Sequence, residues 1–278
     1  MIDVILHALP IAIVASTPLL LAVEGELVVQ RAGIINLGIE GMMLTAAMTA
    51  VLAQQSMHSV FAGFIGGILG ALLIALIFSV FAIRYRADQI VTGTAINLLA
   101  LGLTGFVYQA NGSLFAVSSM REVAQYAVVL IAWLVVPAIL AIMLWMTRFG
   151  LRLRASGENP EAVQHVRAYR WSALAIEAVL VGIGGAYLSL ALSSGFAENM
   201  TAGRGFIALS IVIFGRWKVR GAIIGTALFG VAAGLQYTLQ AMSIGLPFHL
   251  LLAVPYVVTL LILCGFAGRV RAPESLGR

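Results

Sequence analysis

Charged residues are scarce in this chain: Asp, Glu, Lys and Arg make up only 10 % of its 278 residues. Soluble domains carry about 25 % of these residue types, so the composition excludes an ordinary water-soluble protein. Cysteine occurs once, at Cys264, which excludes an internal disulfide and any CxxC redox or metal motif. Lysine also occurs once, as Lys218 after Trp217, whereas a Walker A loop needs a lysine after its last glycine. The chain therefore cannot bind ATP through a P-loop of its own.

Motifs of other catalytic sites are missing as well. The histidines are too dispersed for a zinc-ligand pattern, and neither HExxH nor GxSxG occurs in the sequence. We therefore predict no catalytic residue, no metal site and no cofactor bound by this chain itself.

Apolar residues fill the sequence instead, with 62 % of the chain drawn from AVILMFWYC. A helix needs roughly 20 apolar residues to cross a bilayer, so we expect an all-α polytopic membrane protein with about eight to ten transmembrane helices. Residues 1–278 would form a single transmembrane domain. The run at 206–214 is too short to cross about 30 Å at 1.5 Å per residue, which predicts at least one short or broken helix. The apolar runs are 4–23, 34–52, 60–83, 90–107, 127–146, 172–192, 206–214, 221–242 and 248–266.

The arginines predict how the chain is oriented in the membrane. Basic residues cluster at 84–86, 148–154, 167–170, 216–220 and 269–278, which are alternate connections if all nine runs cross. Connections rich in Lys and Arg remain in the cytoplasm. This pattern predicts an N-terminus outside and a C-terminus inside the cell.

Polar side chains at the border of the first two apolar runs are the first candidates for function, because polar groups are costly inside a bilayer. Asn36 and Glu40 are four residues apart and would share one helix face. One interpretation places Glu26, Gln30 and Arg31 in an interfacial loop, with Arg31 and Glu40 forming a structural ion pair. The other has glycine-broken backbone and these polar groups lining a central pathway.

A second polar set opens the run at 90–107. Asp88 is best explained as a negative charge at a helix N-terminus. Asn97 lies deeper than Gln89 and Thr94, and it either bonds a neighbouring helix or faces the pathway.

The longest polar stretch covers residues 147–171, and we interpret it as a cytoplasmic loop. Within it, Asn159, Pro160 and Glu161 form a helix-start pattern of N-cap, proline at the first helical position and acidic first turn. This pattern predicts a short amphipathic helix that docks on a partner, although an ordinary connecting loop explains the same residues.

Three motifs in order resemble the permease subunits of ABC importers. They are AGIINLGIEGMM at 32–43, FGLRLRASGENPEA at 149–162 and TAGRGFIAL at 201–209. The Asn-Leu-Gly run followed by an acidic residue and glycine is most similar to the nucleoside-type branch of the ribose and branched-chain amino acid permease superfamily. The resemblance implies a type II ABC importer-like bundle and the import of purine and pyrimidine nucleosides.

The resemblance also implies roles for individual residues. The coupling helix that contacts the ATPase would consist of Gly157, Glu158, Asn159, Pro160, Glu161 and Ala162. Taken with the polar clusters, we expect a substrate pathway that includes Asn36, Glu40, Gln89, Thr94, Asn97 and Arg204.

The implied partners follow from the same resemblance. A second related permease subunit would form a heterodimer with this chain, and an ABC ATPase with two nucleotide-binding domains would bind ATP and Mg. A periplasmic or lipid-anchored binding protein of the Bmp type would deliver the substrate. The chain would lie among the lipids of the bacterial inner membrane and bind no nucleic acid.

Two alternatives remain open at this point. The substrate could be a sugar or a branched-chain amino acid rather than a nucleoside. The chain could also be a self-contained secondary carrier that uses Glu40 or Glu177 as a proton or ion site and needs no ATPase.

Overall fold

A computed structural model describes residues 2–111, 120, 122–193, 195–241, 257 and 272–277. These residues form ten α-helices joined by short turns, and the predicted all-α polytopic class is confirmed. The helices are α1 Ile2–Arg31, α2 Ile39–Met57, α3 Val60–Ser79, α4 Gln89–Ala110, α5 Glu122–Leu130, α6 Val136–Met146, α7 Arg148–Glu158, α8 Val166–Tyr187, α9 Arg204–Phe214 and α10 Val219–Ala241. Five-residue π-helical turns extend α3 and α8 and join α5 to α6.

Six of the helical segments in the described residues are long and apolar enough to cross a membrane. They are Pro10–Arg31, Val60–Arg84, Gln89–Ala110, Glu122–Met146, Val166–Leu192 and Val219–Gln236. The apolar run at 248–266 lies outside the described residues. The protein is therefore a multi-pass membrane protein.

The short run at 206–214 forms the short helix that its length predicts. Helix α9 has 11 residues, which corresponds to about 16 Å at 1.5 Å per residue. That length falls well short of the hydrocarbon core of a bilayer. Helix α9 is therefore too short to cross a bilayer by itself, and its first N–H groups need partners from neighbouring segments.

Helices α1 and α8 occupy the centre of the bundle. In each of them, 78 % of the most apolar window is buried, compared with 28 % in α4 and in the segment formed by α5 and α6. Helix α1 packs against α8 and α10, while α8 also packs against α2 and α3. The peripheral helices expose large apolar side chains such as Phe61, Phe106 and Ile139, as expected of surfaces that face lipid.

Glycine allows α3 and α8 to approach closely. A Cβ atom at Gly182 would lie 2.6 Å from the Cα atom of Ile68, and one at Gly67 would lie 2.9 Å from the carbonyl oxygen of Gly182. Small residues at helix crossings allow dispersion contacts between backbones in a membrane, where the hydrophobic effect does not drive association. Glycine therefore allows the backbones of α3 and α8 to touch at this crossing.

Candidate functional site

The polar residues near the end of the first apolar run lie on helix α1, not in a loop. Helix α1 continues through Glu24, Glu26 and Gln30 to Arg31. The side chains of Glu24, Glu26 and Gln30 are at most 1 % exposed, so they lie in the protein interior. The interpretation of Glu26, Gln30 and Arg31 as an interfacial loop is therefore wrong. Within α1 the Gln30 amide donates to Glu26 Oε1 at 2.7 Å, and Gln30 Oε1 accepts from Trp217 Nε1 at 2.7 Å, so the helix can continue through these residues.

Residues 32–38 form an unwound segment between α1 and α2. Asn36 is fully buried there; its Oδ1 accepts a hydrogen bond from the Gly38 N–H at 3.0 Å. Its Nδ2 donates to Glu177 Oε2 on α8 at 2.7 Å. Asn36 therefore closes the local turn and ties the unwound segment to the centre of the bundle.

Helix α4 holds the same unwound segment from the other side. Asn97 Nδ2 donates to the carbonyl oxygen of Leu37 at 2.8 Å, and Asn97 Oδ1 accepts from the Gly41 N–H at 2.8 Å. Gln89 Oε1 accepts from the Ile35 N–H at 2.8 Å. Of the two roles considered for Asn97, bonding a neighbouring segment is the one present in the structure. The amide side chains replace the backbone hydrogen bonds that an unwound segment lacks.

Glu40 binds the N-terminus of the short helix α9. Its Oε1 accepts from the Gly203 N–H at 2.8 Å and its Oε2 accepts from the Gly205 N–H at 2.6 Å. A carboxylate is favourable at a helix N-terminus, where backbone N–H groups have no partner within the helix and the helix dipole is positive. Glu40 thus satisfies the buried end of α9.

The predicted ion pair between Arg31 and Glu40 is not formed. Arg31 donates from Nε and Nη2 to the carbonyl oxygen of Trp217, at 2.8 and 2.6 Å, and its Nη1 lies 3.7 Å from Glu158 Oε1. The prediction assumed that two opposite charges nine positions apart in the chain would also meet in space. Because α1 continues to Arg31 and residues 32–38 then unwind, the two side chains face different elements.

The remaining predicted pathway residues lie apart from this hydrogen-bond network. Thr94 is exposed on α4, and its hydroxyl donates only within its own helix, to the Ile90 carbonyl oxygen at 2.8 Å. Arg204 donates from Nη1 to the carbonyl oxygens of Met200 and Thr201, at 2.9 and 3.1 Å, in the turn that precedes α9. The structure therefore brings Asn36, Glu40, Gln89 and Asn97 together around the unwound segment. The contribution of all six residues to a pathway stays a prediction.

The loop at 147–171 contains an amphipathic helix, but it lies earlier than the sequence pattern predicts. Helix α7 begins after Thr147, whose Oγ1 accepts from the Gly150 N–H at 3.0 Å, and it ends at Glu158. The Asn159 N–H still bonds to the Ala155 carbonyl oxygen at 2.8 Å, so Asn159 closes α7 rather than opening a new helix. Pro160 has no N–H with which to extend α7, and only the single 3₁₀ turn Pro160–Ala162 follows.

The start of the predicted coupling segment is tightly packed against the end of α1. Gly157 is buried, and a Cβ atom at this position would lie 2.9 Å from the Gly33 nitrogen. Gly33 has φ = +88°, a conformation that favours glycine. Ser156 Oγ also contacts the Ala32 carbonyl oxygen at 3.3 Å. The junction of Gly33 with Gly157 thus connects the base of the coupling segment to the unwound segment.

Residues 272–277 reinforce this junction from the far end of the chain. The Ser275 N–H and Oγ both donate to the Gly157 carbonyl oxygen, at 2.9 and 2.7 Å. The Gly277 N–H donates to the Gly33 carbonyl oxygen at 3.2 Å, and Arg170 Nη2 donates to Ser275 Oγ at 3.4 Å. This tail therefore contacts both sides of the Gly33–Gly157 junction.

The rest of the predicted coupling segment faces solvent. Glu158, Asn159, Glu161 and Ala162 are exposed, and Pro160 is half-buried. Beside them a groove of about 750 Å³ is bordered by charged residues of both signs. These residues are Arg86, Asp88, Glu158, Glu161, Arg167, Arg170 and Glu274. An exposed segment on a rigid base is suited to contact with another protein.

Some contacts of this region have no signal in the sequence that would have paired their residues. Trp217 Nε1 donates to Gln30 Oε1 at 2.7 Å across 187 positions of the chain. Nothing in the sequence around Ser275 indicates its contact with Gly157. Glu177 could be found as a carboxyl group within an apolar run, but its contact with Asn36 could not. These contacts arise from packing between distant parts of the chain.

Comparisons with known proteins agree on one family. The model of the family described as branched-chain amino acid transport system / permease component matches residues 8–263. NupC, a nucleoside ABC transporter permease protein of Lactococcus lactis, is 34 % identical over 95 % of this chain and 93 % of its own length. NupQ, a guanosine ABC transporter permease protein of Bacillus subtilis, is 29 % identical over 96 % of this chain and 94 % of its own length. A Haloferax volcanii protein named for glucose ABC transport, TsgC13, is 33 % identical over 84 % of this chain and 77 % of its own length.

A solved structure supports the fold. The structure of PsaBC from Streptococcus pneumoniae in complex with Fab matches with a TM-score of 0.52 and 13 % identity, covering 95 % of each chain. At this identity the match concerns the fold alone. The family model covers most of the chain, and a relative above 30 % identity aligns over nearly its full length. The chain therefore belongs to the family of branched-chain amino acid transport system / permease components.

Proposed function

We propose that this chain is the membrane-spanning permease subunit of an ATP-driven ABC importer that moves nucleosides into the cell. The observation that carries the proposal is the near full-length similarity to NupC and NupQ, which are named for nucleoside and guanosine transport. The chain itself would have no ATPase site, and ATP with Mg would bind to a partner subunit. The absence of a P-loop lysine from the sequence supports this division of labour.

The exposed segment Glu158–Ala162 is the proposed contact with the ATPase. Its base is held by Gly157 against Gly33, so a displacement of the segment would reach the end of α1 directly. Arg31, the last residue of α1, adds a contact at 3.7 Å to Glu158. The surface of the ATPase would bind the exposed side chains Asn159 and Glu161.

We propose further partners on the same grounds. A second, related permease would complete the membrane part as a heterodimer, and a Bmp-type lipoprotein or periplasmic protein would deliver the substrate. The complex would lie in the bacterial inner membrane.

Uptake into proteoliposomes tests the proposal. The complete importer is reconstituted with its binding protein, and labelled guanosine, glucose and leucine are offered with and without ATP inside the vesicles. We expect guanosine uptake that requires ATP and persists when ionophores abolish the ion gradients. Uptake that needs a gradient and no ATP would support the secondary carrier instead. ATP-dependent uptake of glucose or leucine alone would refute the nucleoside assignment while keeping the ABC class.

Sugar transport is the second candidate, because the similarity to TsgC13 favours it. Competition decides between the two: unlabelled nucleosides should abolish guanosine uptake at concentrations where glucose has no effect.

Replacement of Glu158–Ala162 by glycine and serine tests the coupling segment. We retain Gly157 because it is buried in the junction. Uptake and co-purification of the ATPase should both be lost, whereas the permease should still insert in the membrane. The matched control is Ser56→Gly with His58→Gly, at the exposed end of α2 and in the turn that follows it, where His58 already has the positive φ that suits glycine. Wild-type uptake by the segment variant would refute its assignment.

We also propose that the solute passes along the unwound segment and the face of α4 that carries Thr94. Thr94 is a sharp test because its side chain bonds only to its own helix. Thr94→Val should raise the KM for uptake without lowering stability. Thr104→Val is the control on the same helix, since Thr104 is buried and bonds to Ala100 in the same way, at 2.7 Å. An unchanged KM in the Thr94 variant would remove this residue from the pathway.

A further inference from the structure

A column of exposed apolar side chains on α6 ends at a group of arginines in α7. Ile139, Ile142 and Met146 lie on one face of α6 and are 56 %, 52 % and 81 % exposed. They belong to the segment Glu122–Met146, which is long and apolar enough to cross a membrane. Such a face borders the lipid chains. Arg148, two residues after Met146, therefore lies where the hydrocarbon gives way to the phospholipid headgroups.

Helix α7 folds back against the end of α6 instead of extending away from it. A Cβ atom at Gly150 would lie 2.6 Å from the Cα atom of Leu144, and Arg154 Nε donates to the Leu144 carbonyl oxygen at 2.9 Å. Gly150 and Arg154 share one face of α7, because four residues separate them. Arg148 and Arg152 lie on the opposite face, and both are exposed. The arginines are therefore held at the level of the last turn of α6.

Aromatic and apolar side chains accompany these arginines. Arg154 Cζ lies 4.1 Å from the centre of the ring of Trp145, a residue that is 48 % exposed. Arg152 Nη1 donates to the Tyr169 hydroxyl oxygen at 3.3 Å, and the adjacent Leu151 is 60 % exposed. Trp and Tyr are enriched where a membrane protein meets the headgroups, and arginine extends its charge from apolar surface into this zone. The composition of this surface is therefore that of an interfacial contact.

Within the described residues, no carboxylate neutralises this group of arginines. The sequence has no Asp or Glu from residue 123 to residue 157. The ion pair found in the described part of the chain joins Arg31 to Glu158, at the far end of α7. Arg152 and Arg154 bond to neutral oxygens, one a hydroxyl and the other a carbonyl. A guanidinium has five N–H donors, so most of the donors on this surface remain available to an anion.

We propose that Arg148 and Arg152 bind the phosphate group of an anionic phospholipid, such as phosphatidylglycerol, in the leaflet where α6 ends. A guanidinium binds phosphate oxygens through parallel, charge-assisted hydrogen bonds. Arg154 adds a third positive charge, which favours a headgroup with a net negative charge over one whose ammonium group offsets the phosphate. Leu151 and Trp145 enter the interface beside the headgroup. This lipid site is separate from the solute pathway and from the coupling segment.

Native mass spectrometry of the full-length permease tests the proposal. The protein is titrated with phosphatidylglycerol and, separately, with phosphatidylcholine, and the dissociation constant of the first bound lipid is measured. We expect the wild type to bind phosphatidylglycerol more tightly. Arg148→Gln with Arg152→Gln should weaken this binding about 25-fold, since each basic residue near a membrane surface contributes about fivefold. Phosphatidylcholine binding should not change. Equal losses for the two lipids, or no loss for phosphatidylglycerol, would overturn the proposal.

A matched control separates this site from the general effect of positive charge. Arg216→Gln with Arg220→Gln removes two exposed arginines from another basic connection, at the start of α10. This variant should bind phosphatidylglycerol as tightly as the wild type does. A loss equal to that of the first variant would show that any two basic residues suffice, and the site would be refuted. Arg148→Lys with Arg152→Lys keeps the charge, so it should recover part of the affinity. No recovery at all would also count against the site.

Folding and the alternative occupant are controlled separately. Arg148 and Arg152 are exposed, and tryptophan fluorescence shows whether each variant keeps the fold of the wild type. The titration is then repeated on the permease in complex with its ATPase, whose proposed contact begins at Glu158. Phosphatidylglycerol that remains bound supports the lipid site. Its displacement by the ATPase would assign this surface to that partner and overturn the proposal. None of these outcomes depends on which solute the importer carries.

Discussion

Replacement of Glu40 by glutamine tests whether this carboxylate holds the short helix α9 in place. The side chain of Glu40 is 8 % exposed and accepts two backbone hydrogen bonds, from Gly203 and Gly205, at 2.8 and 2.6 Å. A glutamine keeps one acceptor oxygen but presents an NH₂ group to the other N–H. One buried donor of α9 is then left without a partner, and the favourable charge at the helix N-terminus is lost.

The expected loss follows from these two effects. An unsatisfied buried donor costs about 1–3 kcal/mol. The interaction of a carboxylate with a helix N-terminus contributes roughly 0.3–1 kcal/mol, and up to about 2 kcal/mol where it is partly buried. We therefore expect Glu40→Gln to lower the free energy of unfolding by about 2–4 kcal/mol.

Unfolding by SDS in mixed micelles, followed by tryptophan fluorescence, measures this difference. Asp88→Asn is the matched control, because Asp88 also accepts from two backbone N–H groups, Ile90 and Val91 at 2.9 Å, but on the exposed start of α4. Asparagine is about as good an N-cap as aspartate, so this control should change stability by less than about 0.5 kcal/mol. If Glu40→Gln is as stable as the wild type and has lost only transport, Glu40 acts on the solute and its capping role is refuted.

Three further predictions concern packing, coupling and orientation. Gly93→Ala should lower the free energy of unfolding by about 1–3 kcal/mol, because a Cβ atom there would lie 2.6 Å from Cβ of Leu37. Gly102→Ala, on the same helix with open space around it, should be neutral or slightly stabilising, and equal effects would contradict this account. Ser275→Ala should reduce the solute imported per ATP hydrolysed, measured in proteoliposomes, and an unchanged ratio would exclude the tail from coupling. Cysteines introduced by Ala155→Cys and Asn111→Cys, in a background without the native cysteine, should react with impermeant reagents from opposite sides, and labelling from one side would overturn the orientation.

Helix positions and membrane character could be predicted from the sequence because they depend on local composition. A bilayer requires apolar stretches of a certain length, whatever packs around them. For the same reason the shortness of the run at 206–214 indicated a helix that does not cross, and α9 has that length. The motifs at 32–43 and 149–162 also indicated the family, because each motif consists of consecutive residues and is recognised without knowledge of tertiary contacts.

The end points of α1 and α7 could not be predicted reliably, because tertiary contacts decide them. Glu26 and Gln30 looked like loop residues, yet helix α1 continues through them, since Gln30 bonds both to Glu26 and to Trp217 in the turn before α10. Asn159 and Pro160 looked like the start of a helix. The same residues form the end of α7, because the amphipathic residues before them pack on the bundle and a proline stops a helix as readily as it starts one.

The partners of the buried polar residues were decided only by the tertiary structure. Glu40 and Arg31 have opposite charges and lie near each other in the sequence, which favoured an ion pair. In the folded chain Glu40 binds the start of α9, more than 160 positions away, and Arg31 binds Trp217 and Glu158. A sequence indicates which side chains need partners in a membrane. Which partners they find depends on how the helices pack, because hydrogen bonds require groups to meet within about 3 Å.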